Sequence, residues 1–141
     1  KGIGPFEQRV NIRYDREGNL EQSTVVLGES TVYIWGYNKI LPIAKIENAT
    51  VPQVLTALGG TGSDLYTYTE GNIGAINGLR GLMPNSRVTT YTYKPLVGVS
   101  TITDPKGDTV YYQYDNFGRL EYVKDNFGKI ISENKYNYRP N

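Results

Sequence analysis

The stretch Tyr114-Asp115-Asn116-Phe117-Gly118-Arg119-Leu120 decides the fold of this chain. Its turn returns ten residues later as Asp125-Asn126-Phe127-Gly128, and another copy, Asp104-Pro105-Lys106-Gly107, precedes it by eleven residues. In such a turn the Asp side chain accepts hydrogen bonds from the backbone that follows, and Gly adopts the positive φ that the chain reversal requires. Turns at this spacing leave room for one short strand each, so we predict an antiparallel meander of β-hairpins.

The N-terminal part repeats this design. Val10, Ile12 and Tyr14 alternate with polar residues, as in a half-buried strand, and lead into a further turn at Asp15-Arg16-Glu17-Gly18. β-branched and aromatic residues predict more strands near residue 20 and over residues 24–27, 31–37, 40–46, 87–93, 109–114, 119–124 and 129–136. The predicted fold class is therefore mainly β.

Residues 49–86 depart from this pattern and predict two helices. Thr50 is a candidate N-cap with Pro52 in the first turn, and Gly59 ends the helix. A second helix is predicted from Asn72 to Met83, although each interior glycine costs about 1 kcal/mol relative to Ala. This helix needs packing, so we expect the insertion to cover one edge or face of the sheet, or two copies of the chain to associate.

The whole chain, residues 1–141, is expected to form one domain. Residues 1–48 supply the first strands, residues 49–86 the two-helix insertion and residues 87–138 the remaining hairpins. Tyrosine dominates the aromatic content, with 13 residues against 3 phenylalanines and 1 tryptophan. Because the tyrosine hydroxyl tolerates a half-wet surface, this excess indicates a sheet that is thin or exposed on one face.

Composition limits the chemistry that the chain can perform. Cys and His are both absent, which excludes disulfides, His-ligated zinc sites, and Ser-His-Asp or Cys-His catalysis. General acid–base catalysis is left to Asp, Glu, Lys or Tyr. The net charge of +1 provides no field that attracts nucleic acid, and no apolar run approaches the ~20 residues of a membrane span. We predict no cofactor, no nucleic-acid partner and no membrane insertion.

The aspartates of the turns have two interpretations. They supply the carboxylate pair of a glycoside hydrolase, or each of them holds its own turn. Every one of them stands three residues before a glycine, which favours the second role. The predicted turn residues are Asp15, Gly18, Asp104, Gly107, Asp115, Gly118, Asp125 and Gly128. We therefore predict no catalytic residue and a protein that is not an enzyme.

The glycine-rich run Gly59-Gly60-Thr61-Gly62-Ser63-Asp64 matches one copy of a calcium-binding repeat. That motif binds calcium between stacked copies, and this chain has one copy, so a helix-ending linker is the favoured interpretation. The run also lacks the Gly-Lys-Ser/Thr ending of a P-loop. No metal site is predicted.

Aromatic residues are the candidates for ligand binding. Tyr33, Trp35 and Tyr37 are expected to share one face of a strand, and Tyr91 and Tyr93 stand in a similar strand. Such a set forms a platform for sugar rings, or it packs across neighbouring strands. Cross-strand packing is the favoured interpretation, because aromatic stripes commonly stabilise sheets.

The turn-bearing stretches resemble the YD-repeat, or rearrangement-hotspot (RHS), family, whose repeat core is Tyr-Asp-x-x-Gly-Arg-Leu followed several residues later by Asp-x-x-Gly. Residues 114–120 with the turn at 125–128 match this core in full, and residues 14–20 match it with Asn19 in place of Arg. Residues 33–50 and 88–100 are similar to C-terminal portions of large bacterial surface proteins of the family.

The resemblance implies a spiral of β-hairpins in a protein that is secreted or displayed on a cell surface. It implies a non-catalytic scaffold or interaction surface, with neighbouring repeats of the parent chain, a glycan or a protein as partners. The first alternative is a carbohydrate-binding module that uses the aromatic face, and the second is a carboxylate-only glycoside hydrolase. The identity of a ligand, the number of repeats in the parent protein, the oligomeric state and the role of the glycine-rich helical segment stay open.

Overall fold

The structure is a computed structural model that describes residues 10–136. Over this range nine strands form one antiparallel sheet, in which each strand pairs with its neighbours along the chain. The strands are β1 (Val10–Tyr14), β2 (Leu20–Val25), β3 (Ser30–Gly36), β4 (Leu41–Glu47), β5 (Arg87–Lys94), β6 (Gly98–Thr103), β7 (Thr109–Tyr114), β8 (Leu120–Lys124) and β9 (Ile130–Glu133). The predicted mainly-β antiparallel meander is confirmed.

A helical segment joins β4 to β5. It contains α1 (Val51–Leu58), a 3-10 turn (Glu70–Asn72), α2 (Ile73–Asn77) and α3 (Leu79–Leu82). The predicted N-cap of α1 is confirmed, since Thr50 Oγ1 accepts from the backbone N–H of Gln53 at 3.4 Å and Gln53 Oε1 accepts from the backbone N–H of Thr50 at 3.0 Å. Gly59 ends the helix with a φ of 75°.

The prediction of one helix from Asn72 to Met83 is wrong. Gly78 separates α2 from α3, and the buried residues of these two helices are Ile76 and Leu79. A Cβ at Gly74 or Gly81 would meet nothing within 4 Å, so these glycines face open space. Because glycine weakens a helix and contributes no packing here, the segment is held by its buried side chains rather than by its helix propensity.

The helical segment covers one face of the central strands. The buried core lies between that face and the segment, and consists of Val32, Ile34, Ile43, Ala44, Ile46, Ala49, Val51, Val54, Leu55, Leu65, Ile76, Leu79 and Val88. All of these residues belong to β3, β4, β5 or the connection between β4 and β5. The insertion is thus a second layer over three strands, and the two edge strands β1 and β9 lie outside it.

Arg80 connects the helical segment to the β6–β7 hairpin through hydrogen bonds. Its Nε donates to the carbonyl of Asp104 at 2.9 Å, and its Nη2 donates to the carbonyl of Thr103 at 3.0 Å. Its Nη1 donates to Asn77 Oδ1 at 2.6 Å, and that oxygen also accepts from Thr90 Oγ1 at 2.7 Å. Burial lowers the pKa of the Arg80 guanidinium. These contacts fix α3 against β5 and the β6–β7 turn.

The C-terminal half of the sheet is a single layer. From Tyr91 to Tyr136 no residue is fully buried, and most strand residues in this span are half-buried on both faces. Strands β6 to β9 contribute no residue to the buried core, so their stability must come mainly from ladder hydrogen bonds and from pairs of side chains on adjacent strands. The excess of tyrosine, expected to mark a thin sheet, falls in large part within this span.

Bulges recur at matching places in the sheet. The register shifts just before Tyr14, Trp35, Tyr93 and Tyr114, each time near the end of an odd-numbered strand. The extra residues, on the facing even-numbered strands, are Glu21, Ile43, Ser100 and Glu121. A bulge bends its strand and increases the local twist, so the strand ends leave the regular ladder at these points.

Some predicted strand ends differ from the structure. Leu27 lies in the β2–β3 turn with a φ of 63°, and β9 ends at Glu133 instead of reaching Tyr136. Tyr37 lies beyond β3, in a turn where Tyr37, Asn38 and Lys39 have φ of 52°, 61° and 62°. These left-handed residues reverse the chain before the alternating pattern of the sequence ends. The prediction that Tyr37 continues the face of Tyr33 and Trp35 is therefore wrong.

Candidate functional site

The four Asp-x-x-Gly turns share one hydrogen-bond pattern. In each turn one carboxylate oxygen of Asp accepts from the backbone N–H groups two and four residues later, at 2.8 to 3.0 Å. The glycines at 18, 107, 118 and 128 have φ between 75° and 93°. The carboxylates of Asp15, Asp104, Asp115 and Asp125 are thus engaged with the backbone of their own turns.

Asp115 has a further partner, because the residue four positions later is an arginine. The corresponding residues after Asp104 and Asp125 are Asp108 and Lys129. Arg119 donates from Nε to Asp115 Oδ2 at 3.0 Å, in addition to its backbone N–H bond. The backbone N–H of Arg119 is the largest cause that lowers the pKa of Asp115. A carboxylate stabilised in its charged form in this way is poorly suited to act as a general acid.

Aromatic side chains near or just beyond the ends of the odd-numbered strands make a second recurring contact. Each donates a hydrogen bond to a backbone carbonyl near the beginning of the preceding strand. We call this contact the aromatic latch. Its donor and acceptor pairs are Trp35 Nε1 to Leu20 O (2.8 Å), Tyr93 Oη to Pro42 O (2.6 Å), Tyr114 Oη to Val99 O (2.7 Å) and Tyr136 Oη to Leu120 O (2.8 Å).

The latches follow one geometric rule. The pairing of Gln22 with Val32 places Leu20 opposite Ile34, the residue before the donor Trp35. When the registers of the other three strand pairs are continued two residues past their last pair, they give the same offset, with each acceptor opposite the residue before its donor. Every acceptor also lies beyond the last paired residue of its strand pair. The aromatic side chain thus continues the connection between two strands where their backbone ladder ends.

Tyr114 shows how closely a latch fits the backbone. Its hydroxyl oxygen lies 2.5 Å from the position that a Cβ would occupy on Gly98, next to the acceptor Val99. Burial raises the pKa of the Tyr114 phenol. A side chain at position 98 would therefore displace the ring, and glycine is required there by close approach rather than by its φ.

Tyr37 and Tyr93 form one structural pair. Their rings meet edge to face with centroids 5.4 Å apart, and the backbone N–H of Tyr93 donates to Tyr37 Oη at 3.1 Å. Burial raises the pKa of Tyr93 to about 12. Together with the latch from Tyr93 to Pro42, these contacts occupy both hydroxyl groups between β4 and β5.

Tyr33 and Tyr91 differ from the other three aromatic candidates. Both are half-buried on the sheet face opposite the helices, and Lys45 pairs directly with Tyr33 across the β3–β4 ladder. Burial raises the pKa of Tyr91. The charge of Lys45 acts to lower this pKa and Tyr33 acts to raise it, so both residues lie near Tyr91. The five predicted aromatic residues therefore do not form one platform. Trp35, Tyr37 and Tyr93 hold the backbone, while Tyr33 and Tyr91 flank Lys45.

Glu21 is a buried carboxylate that the sequence reasoning missed. It is the extra residue of the β1–β2 bulge, it is 2% exposed, and it accepts from Arg13 Nε at 2.8 Å and from the backbone N–H of Leu65 at 3.0 Å. The hydroxyl or carboxylate partner that a catalytic pair needs is absent from these contacts. Glu21 instead attaches the loop after α1 to the first hairpin. The sequence feature that marks Glu21 is its position directly after Leu20, the last residue of the repeat core.

Lys39 is a second residue that the sequence reasoning did not single out. Its ammonium donates to the carbonyls of Trp35 at 2.9 Å and Tyr68 at 2.6 Å, and lies 5.0 Å from the centroid of the Tyr66 ring. Desolvation by burial lowers the pKa of Lys39. Two carbonyl acceptors hold this ammonium in place, so it joins the β3–β4 turn to the helical segment.

The glycine-rich run ends in an ion pair. Asp64 faces Arg16 at 3.2 Å and accepts from the backbone N–H of Tyr66 at 3.1 Å, and this backbone bond is the largest cause that lowers the pKa of Asp64. Arg16 also lies over the Tyr66 ring, 4.6 Å from its centroid. Among residues 10–136 no group of three or more Asp or Glu side chains converges as a metal site would require.

An open cleft of about 880 Å³, lined by polar and apolar residues alike, lies where the β2–β3 turn meets the start of α1 and the chain after α3. Its lining includes Glu29, Asn48, Gln53 and Asn85. Beside it Arg87 joins Glu29 at 2.8 Å and Glu47 at 3.4 Å. The carboxylate of Glu29, which lines the cleft, is thus paired with the guanidinium of Arg87.

Comparisons with known proteins leave the class of this chain open. The chain matches no model of a protein family and no curated protein. Between residues 10 and 136, no helix has the length and apolar character needed to cross a membrane. What the structure defines is a class of fold, an open antiparallel meander whose aspartate and aromatic side chains recur in structural positions.

Proposed function

We propose that this chain is a non-catalytic structural module of the YD-repeat type, in a secreted or cell-surface protein, where it serves as a scaffold or interaction surface. The observation that carries the proposal is the recurrence of the aromatic latch with one offset on four strand pairs. The polar atoms of Trp35, Tyr37 and Tyr93, three of the five aromatic candidates, are used in hydrogen bonds to the backbone of neighbouring strands. Repetition of one device along a sheet is what a structural repeat requires.

The turns support the same proposal. Four aspartates in equivalent positions each accept two backbone hydrogen bonds within their own turns. A pair of catalytic carboxylates must instead flank one substrate bond, about 5 to 10 Å apart. The aspartates here belong to turns that alternate with strands along the chain, and turn geometry explains each of them without a substrate.

The proposal is tested by separating stability from catalysis. We expect no hydrolysis of a panel of polysaccharides by the purified chain, and a lower unfolding free energy for Asp115→Asn. Asp108→Asn is the matched control, because Asp108 is exposed and contributes its backbone N–H and carbonyl to the β6–β7 turn, which the substitution leaves in place. Hydrolysis that Asp115→Asn abolishes while leaving stability unchanged would refute the structural role.

A second candidate function is supported by Tyr33 and Tyr91. These residues flank Lys45 on the uncovered face and make no latch, so they are the pair available to stack on a sugar ring. Glycan-array binding that Tyr33→Ala and Tyr91→Ala abolish would establish a carbohydrate-binding module. Trp35→Ala is unsuitable for this purpose, because it also removes the latch to Leu20. Equal binding by wild type and both variants would reject this candidate.

A further inference from the structure

Three tyrosines form a regular line across the sheet face opposite the helical segment. They are Tyr33 on β3, Tyr91 on β5 and Tyr112 on β7, and each stands two residues before a latch donor. Val32 and Ile34, which alternate with Tyr33, are buried in the core under the helical segment, so Tyr33 points away from that segment. We call the three residues the tyrosine line.

The step from Tyr33 to Tyr91 crosses two strands and advances two residues. Tyr33 pairs with Lys45, and Lys45 pairs with Thr89, so these three residues form one row across the sheet. Tyr91 lies two residues further along β5 and therefore on the same face. Strand spacings of about 4.8 Å and rises of about 3.3 Å per residue put the Cα atoms of the two tyrosines about 12 Å apart.

The step from Tyr91 to Tyr112 has the same geometry. Tyr91 pairs with Ile102, and Ile102 pairs with Val110, which stands two residues before Tyr112 on β7. Because β5 and β7 run in the same direction, the second step continues the line of the first. The tyrosine line thus crosses the sheet diagonally, and its Cα atoms span about 23 Å from Tyr33 to Tyr112.

The polar atoms along the tyrosine line have no partner in the sheet. Within residues 10–136, neither the three hydroxyls nor the ammonium of Lys45 forms a hydrogen bond or an ion pair. No polar side-chain atom in this part of the chain is buried without a partner, so these four groups reach solvent. The latch tyrosines differ, because their hydroxyls donate to backbone carbonyls of the sheet.

The face around the line combines apolar surface with hydrogen-bond donors. Ile102 and Val110 lie between Tyr91 and Tyr112 in the sheet, and the ammonium of Lys45 donates but cannot accept. The nearby carboxylate on this face, that of Glu47, is held by Arg87 at 3.4 Å. A ligand that fits the face must therefore present apolar surface together with acceptors.

A polyproline II helix has this composition. Proline carries an apolar ring and a carbonyl acceptor but no backbone N–H. The helix makes no internal hydrogen bonds, so its carbonyls are available, and proline-rich segments dock against surfaces lined with aromatic side chains. A sugar brings a hydroxyl donor with nearly every acceptor, and the tyrosine line offers few acceptors for such donors. The chemistry of this face thus favours a proline-rich peptide over a glycan.

The dimensions of the line also suit such a helix. One turn of polyproline II has three residues and is about 9 Å long, which fits between tyrosines whose Cα atoms are about 12 Å apart. The whole line has the length of about seven residues of this helix. The line lies across β3 to β7, in the interior of the nine-stranded sheet.

We propose that the tyrosine line binds a proline-rich segment of a partner protein in the polyproline II conformation. The hydroxyls of Tyr33, Tyr91 and Tyr112 donate to carbonyls of the segment, and the ammonium of Lys45 donates to a further carbonyl between the first two rings. This binding role rests on the interaction surface proposed above and names the partner of that surface.

Titration of the chain with decaproline, followed by isothermal calorimetry, tests the binding. We expect a Kd below about 1 mM. Tyr33→Phe, Tyr91→Phe and Tyr112→Phe each keep the ring and remove the donor, and each is expected to weaken binding about three- to tenfold. Tyr111→Phe is the matched control, because Tyr111 is 45% exposed on the opposite face of β7, and it is expected to leave binding unchanged. Circular dichroism confirms folding of the variants.

Two further ligands define the outcomes. A decapeptide of alternating glycine and serine is expected not to bind, and neither is cellohexaose, a neutral glycan. Absence of decaproline binding, equal affinities of the wild type and the three line variants, or binding of cellohexaose that depends on the same tyrosines would overturn the proposal. The hydrolysis and stability measurements on Asp115→Asn do not involve this face, so they test the structural module separately.

Discussion

The indole N–H of Trp35 donates to the backbone carbonyl of Leu20 at 2.8 Å, and so joins the end of β3 to the beginning of β2. This contact lies at the point where the backbone ladder between the two strands has ended. The same relationship recurs along the sheet with tyrosine as donor. Its recurrence explains why a sheet with a second layer over only three strands keeps its regular order.

Trp35→Phe keeps an aromatic ring and removes the N–H donor. We expect it to lower the free energy of unfolding by about 1 to 3 kcal/mol, because the carbonyl of Leu20 loses its partner. Tyr33→Phe, on the same strand and face, is the control and is expected to change stability by less than about 0.5 kcal/mol. Urea denaturation measures both. Equal effects would mean that the ring, and not its hydrogen bond, stabilises this strand.

Gly98→Ala tests the close approach of Tyr114. The added Cβ would lie 2.5 Å from the Tyr114 hydroxyl oxygen, so the ring must move and the latch to Val99 must break. We expect a loss of roughly 1 to 3 kcal/mol in unfolding free energy. In a double-mutant cycle with Tyr114→Phe the two losses should be less than additive, since both remove the same contact. Fully additive losses would show that Gly98 contributes to stability independently of the Tyr114 hydrogen bond.

Glu21→Ala removes the buried carboxylate of the first bulge. The backbone N–H of Leu65 then loses its acceptor, and we expect a destabilisation of about 1 to 3 kcal/mol. Glu29→Ala is the matched control, because Glu29 forms an exposed ion pair with Arg87 that is worth about 0 to 1 kcal/mol. Thermal or chemical unfolding of the two variants side by side gives the comparison. A larger loss from Glu29→Ala would contradict the assigned role of Glu21.

The stability of the chain at alkaline pH reports on Tyr93. Burial raises its pKa in the folded state from 10.0 to about 12, so its contribution is complete below pH 10 and is lost as the pH rises through 12. We expect the wild type to lose stability more steeply than Tyr93→Phe between these two values. Unfolding free energies measured across this pH range provide the test. Parallel curves would show that the Tyr93 phenol ionises as readily in the folded as in the unfolded chain.

The sequence predicts the local parts of this fold well, because their causes are local. Asp three residues before Gly fixes each turn, and Thr50 with Gly59 fixes both ends of α1. Where tertiary contacts decide, the sequence pattern is insufficient. The break at Gly78 lies between the buried residues Ile76 and Leu79, and the reversal at Tyr37 follows from a left-handed turn that alternation of residue types does not reveal.

The candidate site illustrates the same limit. The aromatic residues of β3 and β5 are visible as a stripe in the sequence, but their hydrogen-bond partners lie 15 to 56 residues away. Sequence alternation cannot distinguish Tyr33 from Trp35, because the bulge that separates their roles depends on the register with β4. The sequence shows Tyr114 as part of the turn motif, yet its hydrogen bond to Val99 depends on the close approach to Gly98 of the preceding strand.

The central claim is that latch tyrosines stabilise the sheet through their hydroxyl groups, and Tyr→Phe substitution tests it most directly. Equilibrium unfolding of Tyr93→Phe and Tyr114→Phe should show losses of about 0.5 to 1.5 kcal/mol each. The matched variants Tyr91→Phe and Tyr112→Phe, on the same two strands but outside the latches, should remain within about 0.5 kcal/mol of the wild type. Two sets of variants with the same stability would contradict the account.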